Sequence, residues 1–518
     1  MSRAARARRA VGGASRRPGR TAPHRLGWQP GASRRPVLAL VLVVAALALA
    51  GCSVTVPGQP ISAGGLRPDG PSGLRTDAPE SPLRAEGKEQ GNRFDELALD
   101  TMDDQYTYYA QIFGKDFGKE FSPAKGLLSY DSRSATGSAC GQKLNGLVNA
   151  MYLPRCDTIG WDRGVLMPSM QEQVGELSAP TILAHETGHL VQSRLGATRS
   201  SVLLLEQQAD CYAGAYWGWV SKGNSKYFQL SGDGGMRQIL GAMLQVGDPV
   251  GLSASNDKAH GTAFDRAFAA SLGFASGAAR CNQITQAEVD KRVQASGFAS
   301  DKLPQKYANM PITPELLGEV AGTLDEYFGK TVPDYRKPKL EQFQGGKPPS
   351  CPDSSNNDSP VLYCPATNTV SYDLAQLQEI GKAPESWQDN VGDFSAIILL
   401  ASRYGLAAQA SGGGTAAGDN AGLRGLCYAG TWASWMRQPQ GEKGLRLSPN
   451  DLNKAIYQVV HSPMAAYDDS GKTGTSVLNQ VQAFNIGVLY DIRQCFDYYS
   501  PGASTPTGLP NPATTPGG

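Results

Sequence analysis

Histidine is scarce in this chain, with five in 518 residues. A pattern that places two of them four positions apart is therefore not expected by chance. Basic charge is also lacking once the first 51 residues are set aside. That stretch carries ten Arg and no acid, and without it 38 basic residues face 47 acidic ones, a net charge of −9. Nothing basic remains to suggest a nucleic-acid partner. Long apolar runs are missing too. The uninterrupted run at residues 37–50 has fourteen members, short of the roughly twenty that a membrane-spanning helix needs. What is present suits ordinary packed cores: 40% hydrophobic and 18% charged residues. The length is enough for two to four domains.

The Arg-rich start, the short apolar run and the small residues after it describe a secretory leader over residues 1–51. Its end, Leu49-Ala50-Gly51-Cys52, resembles the bacterial lipobox. That resemblance implies that Cys52 is diacylated and becomes the mature N-terminus, which would put the protein on the outer face of the cell membrane. An uncut signal anchor is the competing reading. Ser33-Arg34-Arg35-Pro36-Val37-Leu38 loosely resembles a twin-arginine signal. Residues 52–92, rich in Gly, Pro, Ser and Arg, read as a flexible tether with a reach of roughly 35 Å. Residues 501–518, rich in Pro, Thr and Gly, read as a disordered tail.

Between tether and tail the sequence repeats itself. Phe113-Gly114-Lys115 recurs as Phe328-Gly329-Lys330, and Cys211-Tyr212-Ala213-Gly214 as Cys427-Tyr428-Ala429-Gly430. Leu183-Ala184 and Gln192 recur as Leu400-Ala401 and Gln409, Gly261-Thr262 as Gly474-Thr475, and Cys281 as Cys495. So many landmarks in one order at nearly one spacing indicate a tandem duplication, with halves at 93–300 and 310–500. With Cys52 lipidated, eight cysteines remain. An even number in an exported chain suggests disulfides, although eight cysteines allow 105 connectivities. One pattern used twice gives 140–156 and 211–281 in the first half, then 351–364 and 427–495 in the second.

The chemistry concentrates in the first half. His185-Glu186-Thr187-Gly188-His189 is an H-E-x-x-H sequence, which on a helix turns both imidazoles toward one metal ion with Glu186 beside them. Ser178 and Pro180 suit the start of such a helix, and Gly196 its end. A catalytic zinc takes three protein ligands and an exchangeable water. A second helix, capped by Ser200 or Ser201, carries Glu206 and Asp210 four apart. This E-x-x-x-D spacing resembles that of thermolysin-like zincins. The resemblance makes Glu206 the third ligand and Asp210 the carboxylate that hydrogen-bonds a ligand histidine and fixes its aim. Glu186, which is not a ligand, is then the general base that takes the proton of the attacking water and passes it to the leaving amine. The tetrahedral oxyanion needs a second electrophile. His260 either supplies it or caps a turn ahead of the following helix.

Three motifs in order, His185 to His189, Glu206-Gln207-Gln208-Ala209-Asp210-Cys211 and His260-Gly261-Thr262, resemble those of the bacterial neutral zinc metallopeptidases. The resemblance covers most of 93–300. It implies an α+β, zincin-like domain, mostly helical with a small sheet, whose substrate peptide lies along an edge strand. It also implies an arginine after the third motif, here Arg266. The Cys156 region departs from the family, with Pro154-Arg155-Cys156-Asp157 where Tyr-Cys-Pro is expected. The second half keeps that triplet as Tyr363-Cys364-Pro365 but loses the chemistry. Ser402, Arg403 and Leu406 stand opposite His185, Glu186 and His189. Leu426 stands opposite Asp210, Gly422 lies near the place of Glu206, and Thr473 stands opposite His260. No zinc is expected there. Two functions compete: a lipid-anchored zinc endopeptidase acting on peptide or protein substrates outside the cytoplasmic membrane, and a binding or assembly lipoprotein with a structural zinc. A closed site with a fourth protein ligand, for which Cys211 is one candidate, would favour the second.

Overall fold

The computed structural model describes residues 70–197, 200–248, 259–295, 309–345, 349–352, 359–383, 390–441, 444–448 and 450–500. The leader, Cys52, the first part of the expected tether and the tail lie outside the described residues. No helix among the described residues is long and apolar enough to cross a membrane.

The chain is α+β, as expected. Helix α1 (Arg93–Phe117) starts where Asn92 accepts the amides of Phe94 and Asp95, and stops at Gly118 in a left-handed turn. Three strands follow: β1 (Gly126–Tyr130), β2 (Ala150–Leu153) and β3 (Thr158–Asp162). They form a sheet of order β1-β3-β2, parallel between β1 and β3 and antiparallel between β3 and β2. The inner face packs Leu127, Ile159 and Trp161 onto Leu99 and Met102 of α1 and onto Ile182, Leu183 and Leu190 of the next long helix. That helix is α2 (Ser178–Leu195), followed by α3 (Val202–Val220), α4 (Gly232–Gln245) and α5 (Ala263–Ser276). Ser201 caps α3 by accepting the Leu204 amide. Ser178 does not cap α2. It is the first helical residue, and its hydroxyl donates back to the Gly175 carbonyl.

The same order of elements follows in the second half: α6 (Pro314–Thr331), β4 (Lys339–Phe343), β5 (Val361–Cys364), β6 (Thr369–Asp373), α7 (Asp393–Ser411), α8 (Asp419–Trp435), α9 (Asp451–His461) and α10 (Val477–Leu489). Its sheet has the order β4-β6-β5, again parallel then antiparallel. Helix crossings match as well. A Cβ on Gly188 would lie 2.8 Å from the Ala209 Cα, and one on Gly405 3.0 Å from the Gly425 Cα. All four cysteine pairs form as read from the sequence: Cys140–Cys156, Cys211–Cys281, Cys351–Cys364 and Cys427–Cys495. Cys211 is therefore not available as a metal ligand. Cys211–Cys281 closes a loop of 70 residues. Replacing both cysteines by Ala is expected to lower stability by about 4 kcal/mol, read as a shift in the urea midpoint.

One hydrophobic core runs through both halves, from Leu97 to Tyr499. They meet through α4 and α5 on one side and α9 and α10 on the other. In element order α4 stands where α9 does and α5 where α10 does, so each half brings the same two positions to this interface. Phe264 meets Phe484 edge-on, with 6.1 Å between centroids. The bonds at the helix starts are reciprocal: the Phe264 amide donates to Asn453 Oδ1 at 3.0 Å and the Val477 amide to Asp233 Oδ1 at 3.1 Å.

The expected tether needs correction. Residues 70–92 belong to the fold. Gly73–Leu74 pair antiparallel with Phe228–Gln229. The Glu86 amide donates to the Leu127 carbonyl, and the Ser129 amide to the Glu86 carbonyl, each at 2.8 Å. Ser81 donates to the Leu99 carbonyl. A segment without apolar periodicity is ordered here because its main chain completes a sheet edge, while Leu74, Ala78, Leu83 and Ala85 pack in part against the cores.

Candidate metal centre

Helices α2 and α3 cross closely because Gly188 leaves Ala209 room. The crossing sets His185 and His189 of α2 opposite Glu206 of α3. The ligand atoms of these three lie within 4.8 Å of one another, the one such cluster among the described residues. His185 Nε2 is 3.2 Å from Glu206 Oε2, and His189 Nε2 is 3.4 Å from Glu206 Oε1. The two rings stand at 89° with centroids 4.8 Å apart.

The other ring nitrogens decide what this cluster can hold. His185 Nδ1 is 2.7 Å from Asp210 Oδ1, and a carboxylate only accepts, so the ring proton sits on Nδ1. His189 Nδ1 is 2.9 Å from Gln192 Oε1. The amide nitrogen of Gln192 is used elsewhere, donating to the Leu205 carbonyl at 2.6 Å and to Gln208 Oε1 at 3.3 Å. When neutral, both imidazoles therefore turn bare Nε2 lone pairs toward a carboxylate. Glu206 Oε2 is buried and finds no hydrogen-bond donor. Acceptors facing acceptors in a buried site call for a cation between them. Titration registers the same demand for positive charge in another form, as a proton drawn onto the rings. Burial opposes charge on His185, but Asp210 and Glu206 outweigh it and hold the imidazole up at about 10. Burial also opposes charge on His189, and Glu206 raises it. Burial would raise Glu206, yet the two imidazoles pull it well below the usual carboxylate range. Two nitrogens and one carboxylate oxygen are a donor set that fits a zinc ion with an open position.

Glu186 is buried beside the cluster but is not one of its three members, and its Oε2 accepts the Tyr152 amide of edge strand β2 at 2.8 Å. Asp210 is fully buried and shared: Arg266 Nη2, from α5, donates to the same Oδ1 at 2.7 Å and lies 3.3 Å from His185 Nδ1. His260 is half exposed and is not one of the converging residues. Its Nδ1 is 3.4 Å from Asp248 Oδ1, and the His260 and Gly261 amides both donate to Asp248 Oδ2 at 2.7 Å. The start of α5 is capped by Thr262 in a reciprocal box with Asp265, not by His260.

In the second half the corresponding space is filled. Arg403, buried at Glu186's place, donates through Nε to the Val361 carbonyl of β5 at 3.2 Å. Its Nη1 reaches Ser402 Oγ at 3.1 Å and the Tyr467 carbonyl at 2.9 Å, and its Nη2 the Met464 carbonyl. A Cβ on Gly422, at Glu206's place, would run into the Ala466 carbonyl. Main chain lies where a side chain at 422 would stand.

With the geometry in view, the family pattern of the putative neutral zinc metallopeptidases matches residues 20–284. The chain belongs to that family. Residues 285–518 lie outside the match. The uncharacterized protein YpfJ of Escherichia coli K12 is 27% identical over 241 residues, 41% of this chain and 79% of its own length. The uncharacterized YpfJ of Escherichia coli O6:H1 strain CFT073 has the same figures. No solved structure matches.

Sequence reasoning missed Gln192 and Tyr152. Tyr152 acts through its main-chain amide, so no residue type signals it. Gln192 had a signal, since it recurs as Gln409. There Nε2 donates to the Ala421 carbonyl at 3.0 Å, the counterpart of the Leu205 bond, so the cross-helix tie is retained where the histidine is gone. Gln192→Ala is expected to weaken metal retention about 10- to 100-fold in competition with a chelator, while Gln409→Ala leaves it unchanged.

Proposed function

We propose that the mature protein is a lipid-anchored zinc endopeptidase on the outer face of the cell membrane, held through Cys52 and cleaving peptide or protein substrates. The observation that supports it most directly is the convergence of His185, His189 and Glu206 with both Nδ1 atoms already engaged. A zinc ion bound there supplies Lewis-acid polarisation of the scissile carbonyl and acidifies water. Glu186 accepts the water proton and returns it to the leaving amine. Asp210 and Gln192 hold the two imidazoles in the tautomer that leaves Nε2 bare. Arg266 pairs with Asp210 and holds its carboxylate in place against the His185 ring. His260, partnered by Asp248, donates to the developing oxyanion. Strand β2 offers its edge to an extended substrate, and the Tyr152 amide must pass from Glu186 to the substrate or to water when Glu186 takes up the proton.

The second half we read as a tandem copy that kept its fold and lost its ligands. The repeated element order, sheet order and disulfides favour this, and Arg403 and the Ala466 main chain in the old site explain why the loss is stable. The test is elemental analysis of the purified mature protein with a proteome-derived peptide library. About one zinc per chain and cleavage are expected, and a chain without stoichiometric metal would sink the reading. A structural zinc in a non-catalytic lipoprotein is the second reading. It predicts zinc without cleavage and a fourth protein ligand.

A further inference from the structure

Helix α5 reaches the metal centre from the side, and its first turn carries what matters. Arg266 is buried there and bonds Asp210, beside His185. The same guanidinium anchors itself through Nη1 to the Val246 carbonyl at 3.0 Å. Just upstream stand His260 and Gly261, tied to Asp248. The first amides of a helix have no partner within it. Thr262 accepts the Asp265 amide, and the Phe264 amide is taken by a residue of the other half, Asn453. Asn453 is buried, and its Nδ2 donates to Asn450 Oδ1 at 2.8 Å, which fixes the amide with its oxygen toward Phe264. A second tie lies at the end of α4, where Asn390 Nδ2 donates to the Leu244 carbonyl at 3.3 Å, two residues before the carbonyl that Arg266 holds.

We propose, resting on the peptidase reading above, that Asn453 is a positioning residue: the second half sets the register of α5, and through it Arg266 and the His260 segment, against the metal centre. The degenerate half thereby takes part in catalysis without touching the substrate. A bond that merely fastened the halves together would act alike in both directions, and the interface supplies that comparison. Asp233 takes the Val477 amide at the start of α10, and α10 leads to the filled site. Asp233→Ala removes a bond of the same kind from the same interface, one whose partner lies on α10 instead of α5, together with the 3.8 Å pairing to Arg237.

The experiment uses the full mature chain with zinc and measures three things on wild type, Asn453→Ala, Asn453→Asp and Asp233→Ala: bound zinc, kcat and KM on a cleaved peptide, and hydrogen exchange of peptides covering residues 259–268. All four are expected to hold zinc. Asn453→Ala should lose about 10- to 100-fold in kcat with KM little changed, because misplacement of a positioned group acts on the reacting geometry, and its 259–268 peptides should exchange faster. Asn453→Asp keeps an oxygen facing Phe264, as Asp233 does for Val477, and should restore most of kcat. Asp233→Ala should keep wild-type kcat. Equal kcat in Asn453→Ala and Asp233→Ala, unchanged exchange over 259–268 in Asn453→Ala, or an Asp variant as slow as the Ala variant would overturn the proposal. A wild type that binds zinc and cleaves nothing would remove the peptidase reading instead, and the exchange measurement would still decide whether Asn453 holds α5.

Discussion

Glu186→Gln is expected to keep the metal and lose the chemistry. Glu186 touches none of the three converging ligand atoms, so zinc content should stay at the wild-type level. A glutamine keeps an oxygen for the Tyr152 amide, so strand β2 stays where it is. What disappears is a carboxylate that can take and return a proton, an effect of about 10²- to 10⁴-fold in kcat. Zinc per chain and turnover measured on one preparation separate the two. Glu206→Gln makes the contrast. It leaves a neutral group facing two Nε2 atoms, and both metal and activity should fall together. Turnover of the Glu186→Gln chain within a few-fold of wild type, at equal zinc, would remove Glu186 from the reaction.

Gly273→Ala should be among the most destabilising single-methyl changes in the protein. Helices α3 and α5 approach so closely that a Cβ at Gly273 would overlap the Cys211 carbonyl, and one at Gly214 the Ala270 carbonyl. The atoms in the way are main chain, so no rotamer can relieve the clash, and about 3 kcal/mol or more is expected. The damage should also reach the metal, because α3 carries Glu206 and Asp210 and α5 carries Arg266. Gly487→Ala makes the same collision with the Cys427 carbonyl and should cost a similar amount of stability. Gly114→Ala is the control. It is exposed in α1 with nothing within 4 Å of the added methyl, and it should be neutral or stabilising by up to about 1 kcal/mol. Urea titrations of the three variants decide it. A Gly273→Ala chain as stable as Gly114→Ala would mean that the two helices can slide apart freely.

The candidate site was legible because its parts are local. Two histidines four apart on α2 and two carboxylates four apart on α3 announce themselves by helical spacing, and the cysteines repeated in order gave all four pairings. What was not legible depends on partners far along the chain. Gly73 becomes a strand only because Gln229 lies beside it. The Phe264 amide is satisfied by Asn453, and nothing near either residue in sequence signals that bond. That no metal ligands stand at Ser402, Arg403 and Leu406 could be read from the sequence. That the Ala466 main chain lies against Gly422 could not, because the two are distant along the chain.

The shared face of α4, α5, α9 and α10 also has a consequence for timing. In chain order His185, His189 and Glu206 come early, on two helices that pack directly on each other. The helix that completes their surroundings finds its last contacts only when Asn453 and Phe484 have been made, near the end of synthesis. Until then α4 and α5 expose an apolar face that is waiting for its mate. A chain folded in this order has its metal-binding residues in place before their surroundings are complete.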